Sequence, residues 1–327
     1  MLAIFNWDFE LVNIQLSYVN FKWIRNFHKA GEFVLELPFS KETFNLLLSN
    51  PIILKRSENA DYPHEACLIE DINNIETLKG DRVLIVKGRG LESLLDRRIF
   101  SHTGNITLKN LITKLLNENF IKPSNTRRKM PALRLLDFNL SKGNENLSID
   151  TKNSNVYEFL VKLLEEHKVG VKALYNRIDK TIDISFHNLS ESLTSFSKDF
   201  NNVLEQDFYY STKAFKNVVY IDEEVFFDNN SGIDRREIST NNSKDTPNNQ
   251  TALNFLNDKK IIKDLSTSID PYSTQFEYLK DWDIGSIVLC QNRDLNLNAK
   301  NYVSTVTEFY DQKGLNLEVS LNDFEDS

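Results

Sequence analysis

The chain has 327 residues, 40% of them hydrophobic and 26% charged, with a formal net charge of −8. That length predicts two or three domains, and the apolar share is that of an ordinary folded protein. The acidic balance argues against a broad nucleic-acid-binding face, which needs cations to neutralise phosphates. No run of about 18 apolar residues offers a membrane span.

The start, Met1 to Asp8, has neither the basic region nor the long apolar run of a signal peptide, so synthesis in a cytoplasm is expected. Leu11 to Leu16 and Asn20 to Ile24 then read as a strand pair with a tight link at Ser17 to Val19. Gly31 to Pro38 is an alternating strand entered through glycine and stopped by proline, with Phe33, Leu35 and Leu37 on one face. Ser40 opens a short helix, and Pro51 to Arg56 returns as a strand. Ala66 to Thr77, a turn at Leu78 to Asp81, and Arg82 to Lys87 form the clearest hairpin. Gly90 breaks the strand, and Leu91, Leu94 and Leu95 make one apolar helical turn. Short antiparallel strands with only small helices predict a barrel or sandwich.

The middle of the chain changes character. Asn105 is read as the cap of an amphipathic helix carrying Leu108, Leu111, Ile112, Leu115 and Leu116 on one stripe. A polar, basic loop runs from Lys122 to Lys129. Asn153 or Ser154 is read as the start of a second helix, with Val156, Phe159, Leu160, Leu163 and Leu164 on its buried stripe. Val169 to Tyr175 and Thr181 to Phe186 form a hairpin.

Strands return in the last third. Phe215 to Phe227 and Gly232 to Thr240 flank a loop at Asp228 to Ser231. Thr240 to Gln250 is an Asn-rich polar loop, expected to be mobile, and a helix is expected near residues 252–265. Gln275 to Leu279, Ser286 to Cys290, Tyr302 to Tyr310 and Leu315 to Leu321 read as strands, the last with strict alternation. Asp323 to Ser327 is an acidic end, expected to fray. The division is therefore residues 1–104, β-rich; 105–200, α/β; and 201–327, β-rich again.

Candidate chemistry is sparse. Gly88-Arg89-Gly90 lies between a strand and a helix, as a phosphate loop would, but lacks the third glycine and the GK[ST] ending. Asp228 to Gly232 has the composition of a calcium loop without its spacing, since Gly232 is fifth and Ser239 twelfth. The five histidines, His28, His64, His102, His167 and His187, form no metal-ligand pair. Cys67 and Cys290 sit in apolar strands and read as buried thiols. No serine lies in GxSxG. Asp222-Glu223-Glu224 reads as a solvated strand end, and Arg127-Arg128-Lys129 as an exposed loop. The adjacent Arg97 and Arg98 point to different sides, so one of them is a candidate to meet a carboxylate within the chain or across a subunit interface. No cofactor and no catalytic or metal site is expected, and the chain reads as an assembly protein, not an enzyme.

Four segments carry a resemblance: Gly31-Glu32-Phe33 with its strand; Gly88 to Ile99, ending Leu94-Leu95-Asp96-Arg97-Arg98-Ile99; Asp234-Arg235-Arg236-Glu237; and Trp282-Asp283-Ile284-Gly285-Ser286-Ile287-Val288. In these the chain resembles the tail-hub proteins of Firmicute phages, defective prophages and phage-tail-like bacteriocins. The likeness covers most of the chain and is strongest over residues 1–100. Members usually carry an acidic residue after the last glycine, where this chain has Ser286.

The resemblance implies a mainly β fold with an α+β insertion: two tail-tube-like antiparallel β-barrel domains joined by an α/β domain. It implies a homotrimer whose six barrels match a sixfold tail tube on one side and a threefold spike or tip on the other. The implied partners are the tail tube protein, the central spike or tip protein and other baseplate proteins. A tape-measure protein and DNA would pass through the lumen, and the place of action would be a virion tail or phage-tail-like particle. The alternatives are a tail-associated cell-wall hydrolase and a carbohydrate-binding receptor protein at the tail tip.

Overall fold

The computed structural model describes residues 2–15, 18–55, 64–76, 82–240, 248–257, 259–273, 275–311 and 314–323. Contacts divide the chain into two compact units, Met1–Glu205 with Thr267–Ser327, and Gln206–Ser266. Residues 1–104 and 105–200, separated on sequence pattern, both lie inside the first unit.

The chain opens with β1 (Leu2–Phe5), β2 (Leu11–Gln15), β3 (Asn20–Asn26) and β4 (Glu32–Pro38). Helix α1 (Lys41–Ser49) follows, its cap made by Ser40 Oγ accepting the Thr43 N–H at 2.9 Å. Next come β5 (Ile52–Lys55), β6 (His64–Glu76) and β7 (Arg82–Gly90). A 3-10 turn at Leu91–Arg97 leads into β8 (Ile99–Thr107) and α2 (Leu108–Leu116), continued by a π-helical turn at Asn117–Ile121. The order is then β9 (Leu133–Leu135), β10 (Asn146–Asn155), α3 (Val156–Glu166), β11 (Gly170–Asn176), β12 (Thr181–His187), β13 (Ser190–Phe196) and β14 (Val203–Ser211).

The second unit holds β15 (Val218–Ile221), β16 (Glu224–Phe226), β17 (Glu237–Thr240) and α4 (Asn248–Asn257). Its three strands form one sheet, and Val219, Ile221 and Ala252 are the buried centre where α4 covers β15. The chain returns through β18 (Ile262–Ile269) and ends with β19 (Ser286–Asn292), β20 (Leu297–Asp311) and β21 (Gly314–Asp323).

The fold is mainly β, and antiparallel pairing dominates. In the first unit the sheet runs β21-β20-β3-β4-β7-β6-β11-β12-β9; β5, β1 and β2 branch from β6, and β19 and β13 from β20. The β9–β12 and β13–β19 pairs are parallel. Strand β3 therefore pairs with β4 and β20, and β2 pairs with β1, which corrects the expected pairing of those two segments. The physical reason is β1. All four of its residues are buried, so it needs a neighbour on each edge and a core on each face.

Those two cores explain the start of the sequence. Leu2, Ile4, Ile53 and Cys67 join Phe21, Trp23, Phe33, Leu35, Leu37, Leu84 and Val86 in one core. Ala3, Phe5, Ile52, Ala66 and Leu68 join the buried stripes of α2 and α3 in the other. The sheet β1-β5-β6 is thus a wall shared by two cores, and Leu2–Phe5, residues 52–54 and residues 66–69 read as continuous apolar runs for that reason.

Three helix boundaries move. Asn105 lies within β8 and is not a cap; helix α2 begins at Leu108, because β8 continues to Thr107 in its ladder with β10. Asn155, not Asn153 or Ser154, caps α3: its Oδ1 accepts the N–H groups of Tyr157 and Glu158. The helix expected near 252–265 ends at Asn257, and Ile262–Ile269 is strand. Gln275 to Leu279 holds no strand but a single bridge, Tyr278 to Trp282. Ser17, the 78–81 turn, residues 241–247 of the Asn-rich loop and residues 324–327 of the acidic end lie outside the described residues.

Candidate functional site

In the first unit, β3, the start of β6, β11 and the turn before β19 surround a cleft of about 340 Å³. Strand β3 alternates, so Phe21, Trp23 and Arg25 share its inward face. Arg25 is only 6% exposed and needs partners for its charge. Its Nε donates to Glu65 Oε1 at 2.8 Å, its Nη1 to the Tyr278 hydroxyl at 2.9 Å, and its Nη2 to Asp283 Oδ2 at 3.1 Å. The Tyr278 hydroxyl passes the chain on to Glu308 Oε1 at 3.0 Å. Burial opposes the Arg25 charge, but Glu65, Tyr278 and Asp283 outweigh it and hold the pKa above its ordinary value.

Phe27, further along, sits in a slot between two glycines. A Cβ on either Gly170 or Gly285 would come within 2.3 Å of its ring, and Gly285 also has φ +81°. Ser286 accepts the Asp283 N–H on its Oγ at 3.0 Å and closes the turn that aims Asp283 at Arg25. His28 is fixed by two partners: Nδ1–H donates to the Val169 carbonyl at 2.7 Å and Nε2 meets the Tyr302 hydroxyl at 3.0 Å. Burial lowers its pKa.

On the other side of the cleft Gly90 donates its N–H to the Gly31 carbonyl at 2.7 Å, so the first two resemblance segments touch. Glu92, next in the 3-10 turn, is buried and accepts the Ala173 N–H at 2.7 Å. Burial, against the pull of those backbone bonds, raises its pKa to about 7. Asp96 accepts from Arg89 at 3.0 Å and from Asn155 at 2.9 Å, tying the turn to the cap of α3. The segments that carry the resemblance in this unit therefore converge on one place and serve as its fasteners. Sequence reading missed Arg25, although an arginine that continues the alternation of Phe21 and Trp23 marks an inward charge.

Chemically the cleft binds its own strands together. Burial first, and then the carboxylates of Glu92, Glu65, Glu70 and Glu32, push the Cys67 thiol well up, so it stays protonated and unreactive. Cys290 is buried and pushed up to about 12 by burial. Among the described residues no group of three or more His, Cys, Asp or Glu is placed to hold a metal ion. In the second unit the oxygens of Asp228, Glu237 and the Asn230 carbonyl are taken by the Arg235 guanidinium, which stands where a calcium loop would hold its ion. Among the described residues no helix is long and apolar enough to cross a membrane.

Arg97 and Arg98 part company. Arg97 is exposed, with its guanidinium over the half-exposed Trp7 ring at 5.8 Å. Arg98 turns inward: Nε and Nη2 donate to the Arg128 carbonyl at 3.2 and 3.0 Å, and Nη1 to the Arg97 carbonyl at 2.8 Å. Among the described residues neither meets a carboxylate. Arg128 donates to the Ile99 carbonyl and to Asn119, so this part of the basic loop is bound to the body.

Residues 1–226 match the family described as Siphovirus ReqiPepy6 Gp37-like protein. No curated protein matches the chain. The fold is similar to that of a 43 kDa tail protein of prophage MuSo2 from Shewanella oneidensis, with TM-score 0.59 and 12% identity over 95% of this chain and 94% of that one. It is similar to a tail protein from Neisseria meningitidis, with TM-score 0.59 and 14% identity over 94% and 92%. It is also similar to prophage tail protein gp18 from Listeria monocytogenes, with TM-score 0.53 and 12% identity over 99% and 95%.

Proposed function

Because this chain belongs to the Siphovirus ReqiPepy6 Gp37-like family, a family of phage tail proteins, we propose that it is the hub of a phage tail or phage-tail-like particle. It is a structural protein and not an enzyme. In this reading three copies form a ring in the virion tail, joining the hexameric tail tube to a central spike or tip and contacting other baseplate proteins. Each copy contributes two tube-like barrels, one from residues 1–104 and one from 201–327, with 105–200 inserted between them. Tape-measure protein and DNA pass through the lumen, whose acidic lining repels DNA.

The observation that carries the reading is that the likeness to tail proteins spans both chains almost end to end, 95% of this one and 94% of the Shewanella protein. A fastened, unreactive cleft fits a part that transmits load. Exposed Arg97 on Trp7 is the surface assigned to a neighbouring subunit, whereas Arg98 already serves its own chain.

Imaging of the assembled particle down its axis is the test. Three copies in the hub ring, each filling two barrel positions, is the expected result. Six copies of one barrel each would overturn it.

A further inference from the structure

A second cavity, of about 440 Å³, lies in the first unit between β8, α2 and the basic loop. Its charge is the reverse of the protein's. Among the described residues Lys114, Arg128 and His102 line it against one carboxylate, Glu118. Lys114 Nζ meets only His102 Nδ1, at 3.3 Å, and no carboxylate among the described residues. Of the Arg128 guanidinium donors, only Nη2 is engaged among the described residues, by the Ile99 carbonyl and Asn119. His102 Nε2 is a buried atom with no hydrogen-bond partner among the described residues.

The site is built, not a loose surface. Asn119, 5% exposed, is held by its own bond to the Leu115 carbonyl at 2.8 Å and fixes Arg128 with its Oδ1. The π-helical turn Asn117–Ile121, a deviation often found at functional sites, places Glu118 and Asn119 on the rim. Behind them Arg98 has its pKa lowered by burial and by the nearby Arg128 and Arg97 charges, the mark of cations without counter-charge. Ser101, Ser124 and Asn125 add hydroxyl and amide groups to the lining.

We propose that this cavity binds a phosphate-type anion carried on a small polyhydroxyl group, such as a polyol or sugar phosphate. Lys114, Arg128 and His102 would face the anion, and the serines, Asn125 and Glu118 the hydroxyls. The concave shape and limited volume suit one such unit, whereas nucleic acid tracks along an extended basic face. The assignment does not depend on the hub reading.

The test is titration of the full chain, followed by amide NMR and calorimetry, with glycerol phosphate, inorganic phosphate and glycerol. Expected is saturable binding in the order glycerol phosphate, inorganic phosphate, glycerol, with shifts confined to residues 99–128. Lys114→Gln should weaken glycerol phosphate about tenfold at an unchanged melting temperature. Glu118→Gln, which removes the carboxylate of the described lining, should tighten it about threefold. Glycerol binding as tightly as its phosphate overturns the anion assignment. Inorganic phosphate binding as tightly overturns the polyhydroxyl assignment. No effect of either variant overturns the site, and a single-stranded oligonucleotide binding tighter at the same residues overturns it in favour of nucleic acid.

Discussion

Glu92 accepts the N–H of Ala173 at 2.7 Å across 81 residues of chain. The buried carboxylate does for β11 what a neighbouring strand's carbonyl does elsewhere in the sheet. It replaces a ladder bond at the point where β11 leaves β6, which among the described residues it pairs through Leu174 and Tyr175.

This makes Glu92 a source of pH-dependent stability. Burial raises the Glu92 pKa from 4.5 to about 7 in the folded chain. Below about 4.5 both states carry the proton, and no stability is lost. Between that and about 7 the unfolded chain ionises first while the folded one keeps its proton. Stability therefore falls as pH rises through this window, by about 3 kcal/mol in all. Glu92→Gln keeps an acceptor oxygen and cannot ionise, so in urea it should lose the fall between about pH 4.5 and about pH 7 and keep only the rise toward about pH 6.5 that the lowered pKa values of His28 and His187 supply. A wild-type slope in the variant would assign the dependence to another group.

Arg25→Met should cost about 2–4 kcal/mol in urea denaturation, because Asp283 loses its cation and Glu65 is left with Lys172, at 3.3 Å, as its one cation among the described residues. The double variant Arg25→Met with Glu65→Gln should recover part of that loss. If the single change costs less than about 1 kcal/mol, water supplies the missing bonds and the network is not a fastener.

Gly88→Ala should abolish soluble expression or cost more than about 4 kcal/mol. Its Cβ would stand 1.6 Å from the Leu68 carbonyl oxygen and 2.9 Å from the Phe33 ring, and no rotamer moves a Cβ. Asn73→Ala, exposed on the same β6, should stay within about 0.5 kcal/mol of the wild type. Thermal melts of both separate close approach from a general intolerance of this hairpin.

Arg97→Glu should leave the isolated chain as stable as the wild type and block its incorporation into particles. Arg98→Glu should instead cost about 1–3 kcal/mol before assembly is reached, since it loses its bonds to the Arg128 carbonyl. Melting curves and particle yields read the two effects apart. Normal particles from Arg97→Glu would remove that side chain from the interface.

Much of the local structure is legible in the sequence, because period and turn chemistry are local properties. Phe33, Leu35 and Leu37 alternate and are buried on one face. The stripe of α2 from Leu108 to Leu116 is buried as its spacing requires. The assembly reading and the tail-hub likeness also rest on sequence, on short segments around Gly31, Gly88 to Ile99 and Trp282 to Val288.

What the sequence cannot specify is which segments share a neighbour. Leu2 to Phe5 reads as apolar, but only the fold makes it a wall with Leu2 and Ile4 in one core and Ala3 and Phe5 in the other. Asp283 is an unremarkable acid until the turn at Gly285 sets it against Arg25, 258 residues earlier. Arg97 and Arg98 are equivalent as letters, and packing alone sends one to Trp7 and the other to the Arg128 carbonyl. Sequence period determines which face of an element is apolar. The partner for a buried charge is decided by long-range pairing, which leaves no periodic trace in the chain.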